Sequence, residues 1–373
     1  MNKDMNKDMN KEKESKIEIT SDIKKFLSLP EVNKIIHHNG SYDLSLLTGD
    51  ASQRTYYRAY NNSDNSSYVV CRDKSCSDIK TLEQYDFWEV YNFLRKNNIR
   101  VPEIFHVDLT NALLLEEDLG EISLLSKMSS IDSLQEEYNL YESCLDLLIK
   151  IHSQKLTSLD GPATGAHRFA NRYFDRQKYE YEIDFTKTHF LERFLNVKFT
   201  EMETEIFNSA FSKIISVLTK QKNYFTHRDF HSRNIMVKND ELVIIDFQDA
   251  RMGPLQYDLV SLLDDCYYSI DEENHKQLIK YYWHNWAQEE CDSSFDEFME
   301  VYCYMAVQRI YKAIGSFAYI YYNKNSPKYL VNIGRAMERL KYFLINSDDF
   351  ELNKELISIK QILFKYYYGN YGN

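Results

Sequence analysis

The sequence predicts an α+β chain in two lobes, a β-rich first lobe carrying a single helix and a mainly helical second lobe. Three observations carry this. Short apolar or alternating runs at Tyr42 to Leu47, Tyr56 to Tyr60, Tyr68 to Cys71, from Val101 onward and at Ala112 to Leu115 read as strands. Beyond residue 116 the apolar spacing turns helical, with Leu134, Tyr138, Tyr141, Leu145 and Leu148 on one helix and Ile206, Ala210, Phe211, Ile214 and Leu218 on another. Finally, 373 residues with 43% apolar and 14% aromatic content suffice for two lobes with ample core.

Taken in order, residues 1–16 are a repeated polar tetrapeptide with nothing to bury and are expected to be disordered, leaving 17–116 as the first lobe and 117–373 as the second. A helix-like segment spans Asp22 to Leu29. Thr48-Gly49-Asp50-Ala51-Ser52-Gln53-Arg54 joins the first two strands, the shape of a loop that covers phosphates and equally of an ordinary hairpin turn. From Ser77 to Lys96, Ile79, Leu82, Phe87, Val90 and Leu94 predict one amphipathic helix. Tyr173 to Phe194 predicts an aromatic, highly charged helix whose Arg176, Glu180, Glu182 and Asp184 read, on charge pattern alone, as a solvated face.

Composition excludes several classes of function. A net charge of −12 argues against nucleic acid or an anionic membrane as main partner. The six cysteines form no CxxC pair, which fits reduced thiols in a cytoplasm better than a disulfide or zinc framework. No apolar h-region follows the charged first residues, and the most apolar later stretch, Val301 to Tyr322, is broken by Arg309 and Lys312, so a soluble protein is expected.

The chemistry concentrates between Tyr224 and Asp258. Asn234 to Lys238 and Glu241 to Phe247 are β-like runs separated by Asn239-Asp240, a hairpin turn pair. Counting outward from Asp240, Asn234 and Asp246 are equidistant, so the hairpin brings an amide oxygen and a carboxylate to its open end, a hard-oxygen pair suited to Mg2+ with phosphate and water. Asp229, in the loop entering the hairpin, hangs over the same end and is placed to accept a proton from an attacking hydroxyl. Asp-x4-Asn, an apolar strand and Asp-Phe form the catalytic-loop and metal-loop arrangement of kinases. The rival His227-x3-His231 zinc pair has strands rather than a helix around it, so a loop with His227 packed structurally is preferred. No Ala-Pro-Glu segment follows, which favours a small hydroxyl compound over a protein as acceptor, and no G-x-x-x-x-G-K-[ST] occurs anywhere, which removes the P-loop kinases.

His227 to Met236, Ile245 to Ala250, Gly253-Pro254 and Tyr257 to Leu263 resemble the aminoglycoside phosphotransferase superfamily, and within it the bacterial anomeric kinases of N-acetylmuramate and N-acetylglucosamine. The resemblance extends to Gly49 to Ser52 with Arg54 and Tyr57-Arg58, to Val101-Pro102-Glu103, to Leu114 to Gly120, and to Val307-Gln308-Arg309 with Lys312 and Gly315. It implies a bilobal protein-kinase-like fold using ATP and Mg2+, with Asp229 as base, Asn234 and Asp246 as metal ligands, and Asp258 as a carboxylate bracing the loop. It also implies that Glu116, Glu117 and Leu119 belong to the hinge whose backbone meets adenine, with Gly49 and Ser52 near the phosphates. The strand Tyr68 to Cys71 lacks the lysine usual in kinases, which leaves Arg54, Arg58 or Arg72 to supply positive charge and Glu83 without its usual role.

The acceptor must be met by the helical lobe. Ser294-x-x-Glu297 opens a helix as a capping box, and Arg309 falls on its apolar stripe of Phe298, Tyr302, Ala306, Ala313 and Phe317. A charge there must be salt-bridged or face a ligand. Arg309 or Lys312 would suit a lactyl carboxylate, and Glu182 and Asp184 are candidates for sugar hydroxyls. The expected reaction is phosphorylation of the anomeric hydroxyl of N-acetylmuramate, N-acetylglucosamine or both. The alternatives are another small acceptor, such as an aminoglycoside or amino alcohol, and a non-catalytic nucleotide-binding protein. No protein partner is implied.

Overall fold

The computed structural model describes residues 20–36, 42–47, 54–154, 167–324, 326–345 and 353–369. The N-terminal repeat and the loop holding Gly49 and Ser52 lie outside the described residues. The chain divides into two compact units, residues 1–89 with 101–120, and residues 90–100 with 121–373.

In the first unit, helices α1 (20–27) and α2 (Pro30–Ile36) precede strands β1 (Tyr42–Leu47), β2 (Arg54–Asn61) and β3 (Ser67–Asp73). Helix α3 (Asp86–Lys96) belongs mostly to the second unit; back in the first, β4 (Ile104–Asp108) and β5 (Leu113–Glu117) complete an antiparallel sheet of order β1-β2-β3-β5-β4. Strand alternation gives this sheet two unlike faces. Tyr57, Ala59, Val70, Leu113 and Leu115 bury one face under Ile23, Phe26, Leu27, Val32 and Ile36 of the two leading helices. The other parity carries Arg54, Arg58, Cys71, Asp73 and Glu116.

The single helix expected from Ser77 to Lys96 is corrected: only Asp86–Lys96 is α-helical. Asp73, at the end of β3, caps Ser75 and accepts the Tyr85 hydroxyl at 2.5 Å and Arg54 Nε at 2.7 Å. Residues 74–85 are wound around this buried carboxylate in two short 3-10 turns, and Ile79 and Leu82 stay only partly buried. One well-satisfied carboxylate outweighs the helical period of two half-exposed side chains.

The second unit contains helices α4 (Leu124–Met128), α5 (Leu134–His152), α6 (Arg176–Thr186), continued by a π-helical turn Lys187–Phe194, and α7 (Glu201–Leu218). Strands β6 (Tyr224–Thr226), β7 (Ile235–Lys238), β8 (Glu241–Ile244) and β9 (Arg251–Gly253) form two small antiparallel pairs, β6 with β9 and β7 with β8. Helices α8 (Leu255–Leu263), α9 (Glu272–Tyr282), the single turn α10 (Gln288–Glu290), α11 (Phe295–Lys324), α12 (Lys328–Ile345) and α13 (Asn353–Leu363) follow. The buried faces are rotated slightly from the expected stripes: Leu134 and Ile206 are exposed, whereas Glu137, Cys144, Phe207 and Ile215 are buried.

The thirty-residue α11 is the spine of this unit and packs against α6, α7, α8 and α12. Its capping box forms as the sequence predicts: Ser294 N donates to Glu297 Oε2 at 2.7 Å and Glu297 N to Ser294 Oγ at 3.3 Å. Gly315 sets how closely α6 approaches, because a Cβ at this position would stand 2.7 Å from Thr186 Cα. No described helix is long and apolar enough to cross a membrane.

Candidate active site

The site is built on the β7–β8 hairpin. Asn239 and Asp240 have φ of +51° and +62°, the left-handed pair of a two-residue hairpin turn. Lys238 pairs with Glu241 and Ile235 with Ile244, so the register is centred between Asn239 and Asp240, one residue off the count outward from Asp240, and Asn234 stands opposite Ile245 rather than Asp246. Ile245 N donates to Asn234 O at 2.9 Å and closes the open end. There the Asn234 and Asp246 side chains approach to 3.5 Å. Asp246 itself has φ +64°, a left-handed conformation that turns its carboxylate out of the strand path.

The loop from β6 to β7 is pinned by a carboxylate from α8. Asp258 is fully buried and accepts His227 N at 2.6 Å and Arg228 N at 2.9 Å. These two bonds hold Arg228 at φ +82°, a conformation that costs a non-glycine residue roughly 1–3 kcal/mol. Buried His227 spends both ring nitrogens locally, Nε2 on Ile245 O at 3.1 Å and Nδ1 as acceptor of Asp229 N at 3.3 Å. That arrangement requires the proton on Nε2. Asn234 Nδ2 donates to Asp229 O at 3.0 Å, so the amide oxygen is left as the acceptor of that side chain. Asp229, Asn234 and Asp246 are thus held together by the loop's own backbone. Ser232, which sequence reasoning passed over, anchors the far side of the loop by donating its N–H to the buried Asp265 at 2.9 Å.

Cations crowd the Asp229 carboxylate. Lys312 Nζ of α11 lies 3.5 Å from Asp229 Oδ1. Burial by itself would raise the Asp229 carboxyl, but Lys312, Arg228, His231 and Arg309 together hold it well below the ordinary carboxylate range. Lys312 is in turn lowered, chiefly by desolvation. Glu182 of α6 is buried, accepting Gln308 Nε2 at 2.9 Å and ion-paired with Lys178 Nζ at 3.1 Å, so the solvated-face reading of this helix is wrong for Glu182. The close approach at Gly315 is what brings Glu182 to Gln308. Asp184 lies on the exposed side of the same helix, and the structure does not bring it to this group.

Arg309 is buried without the salt bridge the sequence made its simplest explanation. Among the described residues no carboxylate lies within ion-pair distance; its guanidinium donates to Ser261 of α8 and sits 5.6 Å from the Tyr257 ring centroid, with Nε unpartnered.

The nucleotide candidates of the first unit have acidic neighbours of their own. Arg54 pairs with Asp73 and lies 4.5 Å from the Phe87 ring centroid. Arg58 grips Asp118 at 2.6 and 3.1 Å and donates to Gly120 O at 3.1 Å, bracing the turn after β5. Arg72, on the opposite face of the sheet, reaches Asp22 at 3.8 Å. Glu116 is buried, and desolvation, only partly countered by Arg54, pushes its carboxyl up to about 7. Glu117 N donates to Glu103 O at 2.8 Å, and the Leu119 backbone has no partner among the described residues. Glu83 is exposed in its 3-10 turn.

The site therefore brings together the Asp229 carboxylate with partly buried cations around it, and the Asn234 amide beside the Asp246 carboxylate. Among the described residues no group of three or more His, Cys, Asp or Glu side chains forms a metal cage. A cation held by one amide oxygen and one carboxylate, with the remaining ligands from phosphate and water, is the binding mode of Mg2+, and Asn234 and Asp246 fit it.

Comparison with known proteins agrees with this chemistry. Residues 43–296 match the phosphotransferase enzyme family. An N-acetylmuramate/N-acetylglucosamine kinase of Neisseria meningitidis is 28% identical over 308 residues, covering 82% of this chain and 87% of the relative. A kinase of the same name from Pseudomonas aeruginosa is 29% identical over 321 residues, covering 84% and 88%. Among solved structures, an ADP-bound aminoglycoside phosphotransferase superposes with TM-score 0.54 at 20% identity, covering 87% of this chain and 96% of the other. A choline/ethanolamine kinase family protein from Mesorhizobium loti superposes with TM-score 0.57 at 12% identity, covering 92% and 99%. The chain thus belongs to the phosphotransferase enzyme family, with the protein-kinase-like fold of these enzymes and the task of moving a phosphoryl group onto a hydroxyl acceptor.

Proposed function

We propose that this phosphotransferase is a cytoplasmic, Mg-ATP-dependent sugar kinase that phosphorylates the anomeric hydroxyl of N-acetylmuramate, N-acetylglucosamine or both, giving the sugar 1-phosphate. The observation that carries the acceptor is the whole-length similarity to kinases named for these two sugars. The observation that supports the chemistry is the convergence of Asp229, Asn234 and Asp246 on one end of a hairpin. Six free cysteines fit action in a reducing compartment.

In this reading Asp229 takes the proton of the anomeric hydroxyl as its oxygen attacks the γ-phosphorus, the new O–P bond forming while the bond to the ADP oxygen breaks. Asn234 and Asp246 would hold Mg2+, which when bound would supply positive charge to offset that developing on the transferred phosphoryl group. Lys312, beside Asp229, keeps the base ionised. Asp258 holds the loop through His227 and Arg228. Glu116, Glu117 and Leu119 present backbone to adenine, with the unpartnered Leu119 N–H as one donor. Arg54 and Arg58 complete the nucleotide-binding set together with Gly49 and Ser52.

Two variants test the roles. Asp229→Asn is expected to lower kcat by roughly 10²- to 10⁴-fold, the usual worth of a general base. Asp246→Ala should cost several kcal/mol of transition-state stabilisation, on the order of 10³-fold in kcat. Wild-type turnover by purified Asp246→Ala protein at saturating sugar and Mg-ATP would show the metal assignment to be wrong.

A further inference from the structure

A cavity of about 600 Å3 lies in the second unit, between the catalytic loop, the segment after α8 and the start of α12. Its size suits a monosaccharide, since small-molecule pockets run from roughly 300 to 1,000 Å3. The catalytic loop itself forms one wall. Arg233, four residues after Asp229, lines the cavity with its guanidinium 4.8 Å from the Tyr267 ring centroid, and His231 packs edge-on against the same ring at 5.4 Å.

The opposite wall is one face of α12. Lys328, Asn332 and Arg335 are spaced i, i+4 and i+7, and all three line the cavity. Arg335 Nη1 donates to Tyr267 O at 3.1 Å, which fixes the guanidinium at the rim. It has no acidic partner among the described residues. One turn farther on, Arg339 is bound by buried Asp264 with Nε at 2.5 Å, so α12 is anchored directly beyond this face.

Arg233, Lys328 and Arg335 thus surround one volume whose other lining residues are Leu125, Ser129, Tyr267, Tyr268, Ser269 and Asn332, with no carboxylate among them. In a chain of net charge −12 such a lining is a local exception. Three like charges around one space repel one another, and an anion placed between them relieves that repulsion. We propose that this cavity receives the acceptor sugar and that Arg233, Lys328 and Arg335 bind a carboxylate on it, making the enzyme selective for the acidic sugar over its neutral counterpart. The assignment rests on the sugar-kinase reading above. It also moves carboxylate recognition away from Lys312, which faces Asp229, and from Arg309, which donates to Ser261 and lies beside the Tyr257 ring.

A phosphate of the nucleotide offers the same anionic chemistry, and kinetics separate the two sources. Lys328→Gln, Arg335→Gln and the double variant are to be assayed for ADP release with N-acetylmuramate, with N-acetylglucosamine, and over a range of ATP. Loss of charge-assisted hydrogen bonds predicts that the double variant lowers the ratio of kcat/KM for the acidic over the neutral sugar by roughly tenfold or more, mainly through KM. A ratio that stays within about twofold of wild type overturns the assignment. A rise in the KM for ATP with that ratio unchanged overturns it too, and gives the cations to the nucleotide. If the wild type turns over neither sugar, the sugar-kinase reading falls first and this assignment with it.

Discussion

At the scale of single residues the central relationship is that of Asp229 with Lys312. Burial opposes ionisation of this carboxylate and the nearby cations favour it, so in the proposed mechanism they would keep Asp229 ready to take a proton. Replacing Lys312 by Met should therefore let the Asp229 carboxyl rise. The acid limb of the kcat/KM–pH profile should move to higher pH, Lys312→Arg should restore much of its position, and an acid limb unmoved in Lys312→Met would contradict the pairing. Glu116 shows the opposite situation. Its carboxyl is raised from the ordinary value of 4.5 to about 7 by burial. The folded state therefore binds a proton that the unfolded chain has released across this window, and stability falls as pH rises from 4.5 to about 7. Glu116→Gln keeps the shape and removes the buried charge, so its melting temperature should exceed wild type at pH 8. The stability gained at pH 8, on the order of 3 kcal/mol, should vanish near pH 4.

At the scale of elements, the β7–β8 hairpin and the α6–α11 contact place the functional side chains. Asn239→Val puts a β-branched residue at positive φ and should cost about 1–2 kcal/mol. Because the turn fixes the register that joins Asn234 to Asp246, this variant should also raise the Mg2+ concentration needed for half-maximal activity; Asp240→Gly, suited to the same turn, should not. Gly315→Ala drives a methyl group into Thr186 backbone and should cost roughly 1–3 kcal/mol, read from the midpoint of chemical denaturation. The hairpin was legible in the sequence because a turn pair and two short strands are local; the count from Asp240 missed the register by one residue because a two-residue turn is centred between Asn239 and Asp240. The environment of Glu182 was not, because burial came from Gln308, distant in sequence. The start of α3 was misjudged for the same reason. Asp73 gathers Arg54, Ser75 and Tyr85 around one carboxylate, and periodicity carries no record of a side chain's partners.

At the scale of the whole molecule, the residues proposed for the reaction lie in one continuous stretch, whereas the cavity proposed for the acceptor is lined from several elements. From Thr226 to Asp258 the order of residues is nearly the order of function, so the superfamily and the reaction class could be read directly. The cavity beside the catalytic loop instead draws on residues from Leu125 to Arg335. Its three arginine and lysine side chains carry no sequence motif, and only folding brings them together. The same holds for Arg54 and Arg58, legible as cations although their partners Asp73 and Asp118 were not. The central claim is that this enzyme makes a sugar 1-phosphate. It is tested most directly by incubating purified protein with Mg-ATP and, separately, N-acetylmuramate, N-acetylglucosamine and an aminoglycoside, measuring ADP release and identifying the product by phosphorus NMR. Saturable ADP release with one or both N-acetyl sugars, and a phosphorus signal coupled to the anomeric proton, is the predicted result. Turnover of the aminoglycoside alone, or a phosphate ester at another position of the sugar, would contradict it.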